Sequence, residues 1–185
     1  GPLRSSRALF WSVFVLTLVL DQVTKAWARN ALAEHQSPGF PWPGVFELTL
    51  TYNKGIAFGM LQGAGVFLAP IAVAIAVAAW MYSHRNDGDG PLSHSAMALL
   101  ASGALGNLYD RVVLGKVTDL FWFRLINFPV FNVADACITV AAGLLILKWS
   151  REFFAEKRAE SQGGQESQPP EPEPGPIETV SNPLQ

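Results

Sequence analysis

The chain has 185 residues, of which 50% are hydrophobic and only 15% are charged, and its mean hydropathy is +0.24. This composition excludes an ordinary soluble domain of the same length and indicates one membrane domain. The net charge is -2 and the basic residues are scattered, so no nucleic-acid-binding surface is indicated. A single cysteine, Cys137, excludes an internal disulfide and a thiolate metal site.

Four apolar stretches approach the roughly 20 residues that a helix needs to cross a bilayer. They cover residues 8–28, 66–82, 93–109 and 132–149. Each stretch is short or interrupted, so three spans are the alternative. We interpret residues 1–7 as a tag remnant followed by a cytoplasmic N-terminus, and 8–154 as the membrane domain. Residues 155–185 are rich in Glu, Gln, Ser, Pro and Gly, which predicts a disordered tail.

The connections between the spans carry polar and aromatic residues. Residues 45–53, VFELTLTYN, follow a stretch rich in proline and glycine, and their β-branched and aromatic side chains predict a short strand in a small extramembrane cap. Residues 111–131 are rich in aromatic side chains and predict an interfacial loop. A weak bias of Lys and Arg favours both termini in the cytoplasm, which places the polar connections outside.

Asp21 and Lys25 are four residues apart in the first span, so they share a helix face and are expected to pair. We interpret this pair as structural support, because no nucleophile lies nearby that a catalytic lysine would activate. A cleaved signal peptide ending at Ala28 is the alternative for this segment, disfavoured because the two charges interrupt its apolar core.

The predicted strand ends in Asn53-Lys54-Gly55. The Asn53 amide is suited to bond a substrate backbone, and Gly55 allows a close approach of the backbone to a ligand. A simple Asn/Gly turn that ends the strand is an equally good interpretation.

The third span carries small residues and a polar end. Ala98, Ser102 and Gly106 recur every four residues, a pattern that predicts close helix packing in lipid. Further along, Asn107, Asp110 and Arg111 share one helix face. We expect Asn107 and Arg111 to bind substrate or to tune a neighbouring carboxylate. An interfacial ion pair between Asp110 and Arg111 is the alternative.

Two further aspartates lie at the margins of the spans, Asp119 in KVTDLF and Asp135 in FNVADACI. A charged side chain at membrane depth costs roughly 2.5–3.5 kcal/mol, so each is a functional candidate and the other is its candidate partner. Asn132 precedes Asp135 by three residues and shares its face. The alternatives are a helix N-cap or turn for Asp119, and a favourable interaction of Asp135 with the helix dipole.

The motifs DQVTK, NKGIAF, GNLYDR, VTDL and FNVADACI occur in this order over about residues 8–150. In this the chain resembles the bacterial lipoprotein signal peptidases, also called type II signal peptidases or prolipoprotein signal peptidases. The resemblance implies an α-helical integral membrane protein with four transmembrane helices, a small extracytoplasmic β cradle and an interfacial loop. It also implies an inner-membrane aspartic endopeptidase that cleaves diacylglyceryl-modified prolipoproteins just before the lipidated cysteine, without a metal or cofactor.

The resemblance assigns roles to individual residues. The catalytic pair falls on Asp119 and Asp135, facing the outer side of the membrane. Residues expected around the substrate are Asn53, Gly55, Asn107, Arg111 and Asn132, and supporting residues are Asp21, Lys25, Ala57, Phe58 and Asp110. Implied partners are lipid-modified prolipoprotein signal peptides, membrane lipid and cyclic peptide inhibitors such as globomycin.

Two departures from the family pattern are slight, since neither removes a catalytic group: Leu120 replaces a usual Phe, and the tail is unusually long. From other classes, a small transporter or proton channel with an aspartate relay is one alternative, and a non-enzymatic assembly factor is another.

Overall fold

The computed structural model describes residues 2–55 and 65–166. In chain order its elements are α1 (Pro2–Ala31), β1 (Pro41–Trp42), β2 (Phe46–Asn53), α2 (Gly65–Arg85), α3 (Pro91–Leu114), β3 (Val117–Trp122) and α4 (Val133–Glu166), with a short 3-10 helix at Arg124–Ile126. The predicted class, a helical membrane protein with a small β element, is confirmed. Ala57 and Phe58 lie outside the described residues.

Within the described residues, three helices contain segments long and apolar enough to cross a membrane: Ser5–Ala31, Phe67–Arg85 and Val133–Ser161. Helix α3 corresponds to the third predicted span and has 24 residues, but it is more polar than the three helices that contain these apolar segments. It packs against α1 and α2 and buries polar side chains such as His94 and Asn107. Because neighbouring helices cover α3, it needs less apolar surface than a helix that faces lipid.

Small residues on α3 allow its neighbours to approach closely; Gly106 belongs to the predicted four-residue pattern, and Gly103 does not. A Cβ atom added to Gly103 would lie 2.6 Å from the carbonyl oxygen of Ala134 on α4. One added to Gly106 would lie 2.5 Å from Oδ2 of Asp21 on α1. Both glycines are therefore required by contacts that bring α1 and α4 to the same end of α3.

The three strands form one antiparallel sheet in the order β1-β2-β3. β2 confirms the predicted strand, beginning at Phe46 rather than residue 45. β3 corrects the prediction that residues 111–131 form only a loop. It pairs with β2, with Thr51 opposite Asp119, and Leu120 packs with Ala28 and Leu50 in a buried cluster. This packing favours a strand over a loop.

Two helices continue beyond the predicted spans. Helix α3 ends at Leu114, followed by Gly115 in the left-handed conformation, which is a common helix stop. Helix α4 extends to Glu166, so residues 155–166 are helical, contrary to the predicted disorder. These residues include Ala, Glu, Lys and Arg, which are strong helix formers. The compact unit ends at Trp149, and the chain from Ser150 belongs to a second unit.

Candidate active site

Strand β3 and the start of α4 bring the two candidate aspartates to one site. Asp119 lies on β3 with 4% of its surface exposed, and its Oδ1 accepts a hydrogen bond from Nδ2 of Asn132 at 2.8 Å. The backbone N–H of Asn132 donates to Oδ2 of Asp135 at 3.3 Å. One residue therefore connects both carboxylates. The position of Asp119 within a strand excludes the helix N-cap that was its alternative.

Asn132 is also the N-cap of helix α4. Its Oδ1 accepts a hydrogen bond from the backbone N–H of Asp135 at 2.9 Å, while its own N–H donates to the Asp135 carboxylate. This reciprocal arrangement is a capping box, which fixes the first turn of a helix. It holds Asp135 in the first turn, where the helix dipole stabilises a negative charge.

The Asn107 side chain reaches the same carboxylate from α3. Its Nδ2 donates to Oδ1 of Asp135 at 2.9 Å. Its Oδ1 accepts hydrogen bonds from Asn132 Nδ2 and from Lys25 Nζ, both at 3.0 Å. Two amides, Asn107 and Asn132, thus surround the carboxylates with N–H donors. We call these two amides together with Asp119 and Asp135 the carboxylate–amide site.

Lys25 is fully buried behind this site and forms the centre of a charge cluster. Its Nζ lies 2.8 Å from Oδ2 of Asp21 and 3.6 Å from Oδ2 of Asp110. The predicted Asp21–Lys25 pair is thereby confirmed. Asp110 directs its carboxylate to Lys25 and to the backbone N–H of Thr118 on β3, at 2.9 Å, and so serves packing between elements rather than a simple interfacial pair with Arg111.

Asp21 also contacts the start of α4, because its Oδ1 accepts a hydrogen bond from the backbone N–H of Ala134 at 2.9 Å. The charge cluster of Asp21, Lys25 and Asp110 therefore connects four elements: α1, α3, β3 and α4. A buried charge is tolerated only when it is paired and hydrogen-bonded. Each member of the cluster has at least one such partner, although Oδ1 of Asp110 is buried without a hydrogen bond. The cluster fixes the elements that carry the two candidate catalytic aspartates.

Arg111 connects the site to the end of β2. Its Nη2 donates to the carbonyl oxygen of Gly55 at 2.9 Å, and the Gly55 N–H donates to Oδ1 of Asn53 at 2.9 Å. The Asn/Gly turn that sequence left as an alternative is therefore present. It also brings Asn53 and Gly55 beside Arg111, as expected for residues that surround one site.

The two carboxylates have different electrostatic surroundings. Burial, followed by the nearby negative charge of Asp135, raises the pKa of Asp119 to about 8. Asp119 therefore holds a proton at neutral pH. Asp135 receives N–H donors from Asn107 and Asn132 at a helix N-terminus, an environment that stabilises a carboxylate. Two acids that contact the same amide can act as a general acid and a general base when one of them holds the proton and the other does not.

An apolar cavity of about 360 Å³ adjoins Asp135. Aromatic and aliphatic residues after β3 form one wall and the first turns of α4 form the other; the lining residues are Phe123, Ile126, Phe128, Phe131, Ala136, Thr139 and Val140. Such a cavity, with a carboxyl group at its margin, is suited to hold an apolar chain beside a reacting bond.

Sequence reasoning missed several residues that support the site. Arg29 Nη1 donates to Thr118 Oγ1 at 2.9 Å, and Gln22 Nε2 donates to Asp21 and to the Gly106 carbonyl. Gln22 directly follows Asp21 in DQVTK, and Thr118 directly precedes Asp119 in VTDL. Their position next to candidate residues is the sequence signal that would have identified them. Buried Glu47, an acid inside an apolar strand, pairs with Arg124 at 3.0 Å and supports the sheet.

Comparison with known proteins gives a consistent result. Residues 13–151 match the family model described as signal peptidase (SPase) II. A lipoprotein signal peptidase of Pseudomonas putida is 39% identical over 164 residues, covering 85% of this chain and 93% of the relative. One of Gloeobacter violaceus is 39% identical over 138 residues, covering 75% and 79%.

A solved structure described as a bacterial membrane enzyme is similar in fold. It superimposes with a TM-score of 0.73 at 28% sequence identity, and the match covers 78% of this chain and 88% of that one. A second solved bacterial membrane enzyme gives a TM-score of 0.68 at 29% identity, covering 76% and 91%.

Proposed function

Because the chain belongs to the signal peptidase II family, a group of bacterial membrane peptidases that process prolipoprotein signal peptides, we propose that it acts as an aspartic endopeptidase. In this proposal Asp119 and Asp135 are the catalytic pair, and cleavage occurs just before the diacylglyceryl-modified cysteine. The observation that carries the proposal is the hydrogen bonding of Asn132 to both carboxylates, which brings an acid from β3 to an acid from α4.

Asp135 is the general base. Its carboxylate removes a proton from a water molecule, which attacks the scissile carbonyl carbon. Hydrogen bonds from Asn107 and Asn132 hold the carboxylate in place.

Asp119 is the general acid. Since its pKa is raised to about 8 by burial and by Asp135, it carries a proton at neutral pH and donates a hydrogen bond to the carbonyl oxygen as negative charge develops there. When the tetrahedral intermediate collapses and the C–N bond breaks, Asp135 gives the proton that it took from water to the leaving amine, and Asp119 keeps its own proton, so both acids return to their starting states. No side-chain nucleophile takes part in this sequence of steps.

Residues near the carboxylate–amide site bind the substrate backbone. Arg111 Nε is buried and has no hydrogen-bond partner among residues 2–55 and 65–166, so it has a donor left for a peptide carbonyl. Asn53 and Gly55 lie next to Arg111, because Arg111 donates to the Gly55 carbonyl and the Gly55 N–H donates to Asn53. The apolar cavity beside Asp135 accepts either the apolar side chains of the signal peptide or the acyl chains of its modified cysteine. A cyclic peptide inhibitor such as globomycin would occupy the same cavity.

The proposed membrane arrangement follows from the substrate. A multi-pass protein of the bacterial inner membrane with both termini in the cytoplasm has its α3–α4 connection, and hence both aspartates, at the outer face. A signal peptide is an apolar helix in the bilayer, and acyl chains keep its modified cysteine near the interface. A site at this depth meets the scissile bond without moving the substrate out of the membrane.

The deciding experiment incubates purified protein with a diacylglyceryl-modified prolipoprotein and, separately, with its unlipidated counterpart. We expect cleavage of the lipidated protein, with a new N-terminus at the modified cysteine measured by mass spectrometry, and at least a tenfold lower rate without lipid. A chain that cleaves neither substrate contradicts the proposal. Equal cleavage of both contradicts the proposed recognition of the lipid.

A further inference from the structure

The orientation of the Asn107 amide determines whether it helps or opposes Asp135. An amide presents an NH2 donor on one side and a carbonyl acceptor on the other, and the two are nearly equal in size. In the structure the NH2 group faces Oδ1 of Asp135 at 2.9 Å. A rotated amide would place an oxygen against the carboxylate oxygen, where two acceptors repel each other.

Lys25 is the group that fixes this orientation. A lysine ammonium has three donors and no acceptor, so the Asn107 atom 3.0 Å from its Nζ must be the oxygen. The ammonium itself is held by Asp21 at 2.8 Å and by the Gly106 carbonyl at 3.3 Å. It is fully buried, so water does not compete for its protons.

Lys25 also fixes the orientation of the second amide, that of Asn132, through Asn107. Asn132 Nδ2 donates to the same Asn107 oxygen at 3.0 Å and to Asp119 at 2.8 Å. The Asn132 oxygen is then left to accept the N–H of Asp135. Once the Asn107 oxygen points to Lys25, both amides direct N–H donors at the two carboxylates.

We propose that Lys25 is a positioning residue for catalysis: it fixes the direction of the Asn107 and Asn132 amides and thereby the hydrogen bonds that hold Asp119 and Asp135. This inference rests on the proposed protease function. The hydrogen bonds and ion pairs of Lys25 within the described chain go to Asp21, Asp110, Gly106 and Asn107. Its hydrogen bonds therefore reach the aspartates through the amides, while its charge also acts on Asp119 at a longer distance.

The test uses a variant that removes the lysine donor without adding charge to the cluster. Asp21, Asp110 and Lys25 together carry a formal charge of -1, and the double variant Asp21→Asn/Lys25→Met leaves Asp110 alone, also -1. We expect kcat on the lipidated prolipoprotein to fall roughly 10- to 100-fold relative to the parent chain, whose cluster has the same formal charge, because a small misplacement of the reacting groups is enough for such a loss. KM should change less than about twofold, because substrate binding groups are untouched.

A double-mutant cycle separates positioning from simple stabilisation. In a chain that carries Asn107→Ala, no amide remains for Lys25 to orient, so the charge-neutral step of adding Asp21→Asn/Lys25→Met should change kcat by less than roughly twofold. If Lys25 only stabilises the fold, the same step lowers kcat by the same factor in both backgrounds. Equal factors overturn the proposal.

A second variant guards against a folding defect. Asp21→Asn/Lys25→Gln keeps an N–H donor near Asn107 and should recover part of the kcat that the methionine variant loses, with both chains showing cooperative thermal unfolding in detergent. Loss of cooperative unfolding in both chains assigns Lys25 a structural role and overturns the proposal. A parent chain that cleaves no prolipoprotein contradicts the protease function instead, so the two failures are distinguishable.

Discussion

Polar clusters occur near both ends of helix α3, and they treat their carboxylates differently. Near its start, Asp89 accepts hydrogen bonds from Lys148 Nζ at 2.9 Å and from the Tyr82 hydroxyl at 2.8 Å. These two contacts, with that of Lys148 the larger, lower the pKa of Asp89. Near its end, Asp119 meets the neutral amide of Asn132, and burial followed by Asp135 raises its pKa to about 8.

The difference lies in where the cation stands. Lys148 contacts Asp89 directly and keeps it ionised, which makes a fixed ion pair between elements. Lys25 stands behind Asn107, one residue away from the catalytic candidates, so its charge orients donors without forming a salt bridge with them. A carboxylate that must gain and lose a proton needs the second arrangement, because a direct ion pair strongly favours one protonation state.

The largest expected effect comes from removing either member of the carboxylate pair. Asp119→Asn and Asp135→Asn each replace an acid by an amide of the same shape, which abolishes general acid or general base catalysis. We expect the cleavage rate of lipidated prolipoprotein to fall about 10²–10⁴-fold, measured by gel shift of the product. Cooperative unfolding should be retained in both variants.

Asp89→Asn is the matched control, since it makes the same chemical change near the other end of α3. It should leave the cleavage rate within about twofold. Rapid cleavage by Asp119→Asn, or equal losses at Asp89 and Asp119, would remove the distinction between the two clusters.

The next effect is the dependence of activity on pH. Because Asp119 must be protonated to act as the acid and its pKa is raised to about 8, kcat/KM should fall above pH 8 by about tenfold per pH unit. The measurement is initial rate from pH 6 to pH 10 in one detergent. A rate that rises steadily across this range contradicts the assigned role of Asp119.

The same shift has a consequence for stability, with a definite sign. The folded chain holds a proton on Asp119 up to pH about 8, whereas the ordinary value is 3.8, so the folded state binds more protons between these values. Stability is therefore greatest on the acid side and falls as pH rises through this window. Asp119→Asn should flatten this part of the dependence of the unfolding midpoint on pH.

A smaller effect is expected where α3 and α4 approach each other. In Gly103→Ala the new methyl group would lie 2.6 Å from the Ala134 carbonyl and 2.7 Å from the Ile138 side chain, so α4 must move away. Overpacking of this kind costs roughly 1–3 kcal/mol, and the shift displaces Asp135, which lies on the same turn. The free energy of unfolding and the cleavage rate should both decrease.

Gly143→Ala is the control for that substitution, because a Cβ atom at Gly143 meets nothing within 4 Å. It lies on α4 as well, where alanine favours the helix, and should leave the stability unchanged or slightly higher. If both alanine variants behave alike, the close contact at Gly103 does not position α4.

Sequence alone predicted the elements whose signal is local. Apolar runs identified the four helices, and the β-branched residues of 45–53 identified β2. β3 was missed because KVTDLFW acquires its strand character from pairing with β2 and from burial of Leu120 against Leu50, contacts between distant segments. The helical residues 155–166 were missed because the prediction weighed their polarity above their helix propensity.

The site was partly predictable for the same reason. Motifs placed Asn132 three residues before Asp135, and the capping box follows from that spacing. The contact of Lys25 with Asn107 joins α1 to α3 across 82 positions, and no pattern within either segment indicates which atom of the amide faces the lysine. Such geometry appears only when the helices are packed.

The smallest expected effect is on stability at the start of α3. Asp89→Asn removes the ion pair with Lys148, whose side chain is 18% exposed, while that of Asp89 is 28% exposed. Exposed pairs contribute about 0.2–1 kcal/mol, so the unfolding midpoint should fall by no more than a few degrees.

Because the contacts with Lys148 and Tyr82 lower the pKa of Asp89 below 3.8, this contribution is present above pH 4 and is lost as the pH falls further. The dependence is opposite in sign to that of Asp119. Thermal unfolding of the two asparagine variants from pH 3 to pH 9 would measure both signs, and parallel curves would contradict the contrast between a directly paired acid and an acid that faces amides.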